Sequence, residues 1–84
     1  MPEVSFGVNR YQATVATDID RDGIALELDD ITDGPPQLVL YAFHSDATGQ
    51  ITFTAYREDL PLEAVEWFVQ EARRRLSLLA HPQT

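Results

Sequence analysis

The 84-residue chain is long enough for one small domain, expected to span residues 1–84, and too short for two. It has no cysteine, which excludes disulfides, thiolate metal sites and cysteine nucleophiles. Its fourteen Asp and Glu residues against six arginines leave a net charge of −8, the wrong sign for a nucleic-acid backbone.

No apolar run approaches the ~18 residues of a membrane span. The opening Met1, Pro2 and Glu3 lack the basic and apolar regions of a signal peptide. A cytoplasmic protein with no membrane partner is expected.

Val4, Phe6 and Val8 alternate with their neighbours. Tyr11, Ala13, Val15, Thr17 and Ile19 then alternate with Gln12, Thr14, Ala16 and Asp18 in the period of two that marks a half-buried strand. The two runs have opposite parity, which predicts a bulge or break near Asn9 and Arg10. The first eight residues are either an extra N-terminal strand or a lid over the sheet. After the turn-forming cluster Asp20-Arg21-Asp22-Gly23, Ile24, Leu26 and Leu28 share one face of a second strand. Asp33-Gly34-Pro35-Pro36 separates it from a third, residues 38–44, that is apolar on both faces. Asp46-Ala47-Thr48-Gly49 leads into a fourth, with Ile51, Phe53 and Ala55 inward and Thr52, Thr54 and Tyr56 outward. Connections this short favour an antiparallel meander over parallel crossovers.

The period then changes. Leu62, Val65, Val69, Ala72, Leu76 and Leu79 are spaced three or four apart, the stripe of an amphipathic helix with Phe68 on its flank. Pro61 suits its first position, Glu63 and Glu66 suit the positive end of its dipole, and Pro82 marks its stop. The fold is expected to be α+β: a four-stranded antiparallel meander with a possible extra N-terminal strand, and one C-terminal helix packed on one face. The sheet should cover about residues 3–57 and the helix about 61–80.

One helix covers one face, so the other is expected to lie open and to show Val39, Tyr41, Phe43 and Tyr56 beside Thr52 and Thr54. Such a patch favours an interface. Trp67 is expected to point outward, opposite the apolar stripe, as an interface anchor. Residues 61–84 are electrically neutral, whereas residues 18–33 carry seven acids against Arg21 alone. Asp29, Asp30 and Asp33 in that stretch form an acidic edge suited to a basic protein partner.

Asp18, Asp20 and Asp22, followed by Gly23 and by Asp29 at the twelfth position, resemble the calcium loop of an EF-hand. The resemblance ends at the loop, because both flanks read as strands. An acidic hairpin with Asp22-Gly23 in a positive-φ turn explains the same residues, and no metal or other cofactor is expected. His44-Ser45-Asp46 has the residue types of a catalytic triad, but strand neighbours point to opposite faces and cannot line up.

Residues 11–29, a tyrosine-containing strand followed by an acidic turn, resemble the small β-rich domain of HicB-type antitoxins. Here two further strands precede the helix and no specific motif accompanies the likeness, so no family is assigned.

These features together lead to a small non-enzymatic protein-interaction module, immunity-, antitoxin- or inhibitor-like or homodimeric, that binds a protein partner or itself. The alternative is a small-molecule-binding domain or accessory enzyme subunit with a pocket near Tyr41 and Tyr56. Weak cation binding ranks behind both.

Overall fold

In a computed structural model describing residues 3–17 and 20–80, five strands form one antiparallel sheet in chain order. They are β1 (Glu3–Phe6), β2 (Asn9–Thr17), β3 (Gly23–Asp30), β4 (Gln37–Ser45) and β5 (Ile51–Ala55), and the helix α1 (Leu62–Ala80) follows. The expected α+β meander is present, and the N-terminal segment is its fifth strand and not a lid.

Of the bulge or break expected near Asn9, the structure has the break: β1 ends and β2 begins there. Phe6 pairs with Asn9, so Gly7 and Val8 alone reverse the chain. Gly7 has a φ of 62°, the glycine-first pattern of a type II′ hairpin. Reversal through two residues resets which side chains face the core. The bulge lies further on, where pairing passes from Leu28–Leu40 to Asp29–Leu38 and leaves Val39 out of register.

Cross-strand rows build the core. Ala13, Leu28, Leu40 and Ala55 form one row, and Val15, Leu26, Ala42 and Phe53 the next. Helix α1 lies over β3 and β4 on this face. It is turned by roughly 50° from the orientation its Leu/Val stripe predicts, at 100° per residue. Ala64, Phe68, Ala72 and Leu76 are buried, while Leu62 and Leu79 are exposed. Trp67, expected outward, is half-buried against the core. Size explains the rotation: burying Phe68 and half of Trp67 removes more apolar surface from water than burying Leu62 and Val69 would. The small side chains of Ala64 and Ala72, one turn either side of Phe68, let the helix approach the sheet closely.

Gly23 also departs from expectation. Its φ is not positive; it opens β3 in ordinary extended backbone. Glycine is needed for space, because a Cβ there would overlap the His44 carbonyl oxygen and press into the Phe43 ring. Gly23→Ala should therefore lose about 1–3 kcal/mol of stability through overpacking. Urea unfolding followed by Trp67 fluorescence measures it, and an unchanged midpoint would show that Phe43 yields without cost.

Candidate interaction surface

The sheet face away from α1 is not the open apolar plane that alternation suggests. Val39 is 1% exposed and belongs to the core. Phe43 is 3% exposed: it packs on the Gly23 backbone, and the Arg21 guanidinium covers its ring 3.8 Å from the centroid. The turn before β3 thus closes one end of the face. Elsewhere the face is largely polar, with the row Thr14, Glu27, Tyr41 and Thr54 followed by Gln12, Asp29 and Leu38. Tyr41 is half-buried, and Tyr56 stands exposed just beyond β5. Val39 and Phe43 are packing residues, and the expected patch is broken up.

The acidic edge divides similarly. Asp33 is exposed. Asp29 is half-buried in β3, and burial pushes its carboxyl pKa up. Asp30 is committed to structure. Arg57, between β5 and α1, donates to Asp30 and to the Gln37 side-chain oxygen at 2.6 Å. The Thr32 amide donates to Asp30 Oδ1 at 2.9 Å, and Thr32 Oγ1 accepts from the Arg10 amide at 2.9 Å. These contacts tie β2, β3, β4 and the β5–α1 connection together at one end of the sheet. Burial alone would raise the Asp30 carboxyl, but hydrogen bonds from Arg57 and Thr32 and the Arg57 charge outweigh it and hold its pKa at about 2. Tyr11, opposite Asp30 in β2, is pushed up by burial and by the Asp30 charge.

The calcium-loop pattern does not become a cluster. Asp18 lies outside the described residues, and Asp29 is six strand residues beyond Gly23, about 20 Å along β3 and out of reach of Asp20 and Asp22. Among the described residues no three His, Cys, Asp or Glu side chains group as metal ligands. His44 is buried on the helix side of the sheet, in register with Ile24 and Ile51. Ser45 Oγ caps the next turn, accepting from the Ala47 and Thr48 amides at 3.2 and 3.3 Å.

Sequence reasoning missed the outer edge of β5. The Ser45 amide donates to Gln50 O and the Tyr56 amide to Val39 O, which fixes the alternation. Gln50, Thr52, Thr54 and Tyr56 bond towards β4, so the backbone groups of Ile51, Phe53 and Ala55 point away from the sheet. Phe53 is 49% exposed although its ring lies 6.2 Å from that of Phe68. It lines a groove of about 400 Å³ between this edge and the helix, with Ala42, Gly49, Ile51, Val69, Ala72 and Arg73. Leu62 and Val69 are exposed on the adjoining helix face. The available signal was topological: the last strand of a meander is an edge, and residues 51–55 carry no charge.

No protein-family model, curated protein or solved structure matches this chain.

The Asp30 geometry sets a pH dependence. A carboxyl whose pKa falls on folding stabilises the fold while ionised, so this contribution is present above about pH 4 and is lost as pH falls through 2. Asp30→Asn should cost about 1–2 kcal/mol at pH 7, discounted because Arg57 is partly exposed. The deficit should shrink below pH 4 and close only as pH falls through 2 towards about 1. Denaturant melts of both proteins across that range measure it, and a deficit independent of pH would assign the loss to something other than charge.

Proposed function

We propose that the chain is a non-enzymatic interaction module that takes up another polypeptide by strand addition along the outer edge of β5. The observation that carries this reading is the combination of outward backbone groups on Ile51, Phe53 and Ala55 with the exposed apolar side chains of Phe53 and Val69 that line the groove beside them. Main-chain hydrogen bonds supply affinity in such complexes, and the neighbouring groove selects side chains. Proteins that do not use an edge commonly protect it with charge, proline or a very short strand. The opposite edge, β1, is four residues long and carries Glu3 in an ion pair with Arg10 at 3.4 Å. β5 has no charge and no proline.

A small-molecule ligand is the second reading, favoured by the same groove. Arg73 at its wall makes no ion pair or hydrogen bond among the described residues, which suits a compact apolar anion. No helix among the described residues is long and apolar enough to cross a membrane.

A photoreactive amino acid at position 69, beside the groove, should give covalent polypeptide adducts when the full chain is irradiated in its own cells. The same group at the exposed position 8, by the far edge, should give few. Equal yields from both positions, or none from 69, would remove strand addition as the function.

A further inference from the structure

We infer that the strand received by β5 is the β5 of a second copy of this chain, related by a two-fold axis through Phe53. This rests on the strand-addition reading and names its partner. A two-fold interface requires a surface complementary to itself. Residues 51–55 read Ile-Thr-Phe-Thr-Ala, nearly the same in both directions about Phe53. Antiparallel pairing on that centre sets Phe53 against its own copy, Thr52 against Thr54, and Ile51 against Ala55. The residues paired through hydrogen bonds are then Ile51, Phe53 and Ala55, whose backbone groups already face outward. Each such pair exchanges two bonds, giving about six across the junction. A register shifted by one residue would oppose outward-facing groups with groups already bonded to β4.

Side chains agree with the backbone. With the axis normal to the sheet, both Phe53 rings fall on the helix-covered face and close the exposed half of each other. The two helices lie on that same face, roughly 20 Å apart at the usual strand spacing, so the rings and not the helices meet at the axis. On the other face Thr52 and Thr54 make two cross-strand threonine pairs, which are favourable in sheets. Charge also points to this edge. A chain with a net charge of −8 repels its copy, yet the acids of residues 20–33 belong to β3 and its flanking turns, two strands from β5. The β5 strand itself is neutral, so association there meets the least like charge.

Sedimentation velocity on the full chain over about 1–200 µM tests the inference. The wild type should dimerise, and more tightly as salt rises, because screening weakens the repulsion of two acidic subunits. Thr52 and Thr54 are both exposed, so charges are accommodated there without loss of fold. The double variant Thr52→Glu with Thr54→Glu places acids opposite acids and should weaken the dimer at least tenfold. Thr52→Lys with Thr54→Glu keeps the net charge, opposes unlike charges in the same register, and should restore it.

A wild type that stays monomeric at about 200 µM would overturn the second copy as partner. Adducts from position 69 to a different polypeptide would then leave strand addition itself standing. A dimer insensitive to both double variants would overturn the β5 junction.

Discussion

Phe68 is the residue around which the molecule is organised. Its side chain is fully buried against the sheet face built by Leu26, Leu28, Leu40 and Ala42, with Ala64 and Ala72 one turn before and after it. A single 19-residue helix must close the core of a five-stranded sheet, so its largest side chains have to face inward. That requirement sets the rotation of α1, brings Trp67 to the rim of the core and leaves Leu62 and Val69 on the outside. The exposed position of Val69 beside β5 is therefore a consequence of how the core is filled.

The same shortage of covering elements shapes the other face. With one helix, the second face has to be polar, or be covered by something small. Both solutions occur. Phe43 is covered by Arg21 and by the close approach of Gly23, which places an aromatic ring under a guanidinium where a second helix would otherwise be needed. The remaining rows carry Thr, Gln, Glu and Asp. At the opposite end of the sheet Arg57 joins Asp30 and Gln37, so two of the six arginines serve to close the sheet's ends. Part of the acidity that suggests a partner surface is thereby neutralised inside the fold.

Local patterns were legible in the sequence, and long-range partners were not. Alternation identified β2 to β5, and the change of period identified α1 to within a residue at its start. The parity slip at Asn9 was visible, but a bulge and a two-residue reversal leave the same signature, and Gly7 was the clue that separates them. Helical rotation was hidden because counting apolar positions weights Val69 and Phe68 equally, while burial weights them by area. Phe43 looked exposed because alternation assigns a face and not what covers it; its cover, Arg21, comes from another turn. The Asp30–Arg57 pair spans 27 positions and has no local signal at all.

The two edges of the sheet are not equally protected. Both ends of a meander expose unpaired backbone groups, and the two ends here differ in kind. At β1 the exposed groups belong to a four-residue strand with a charged pair over it. At β5 they belong to a neutral strand whose central aromatic ring is only half covered by the protein's own helix. Completing the cover of Phe53 requires either more helix or another chain, and α1 already lies over β3 and β4 with Phe68 fixed in the core. Rotating it towards β5 would draw Phe68 and Trp67 out of the core to cover one phenylalanine. The packing that makes the fold stable is thus what keeps its β5 edge available.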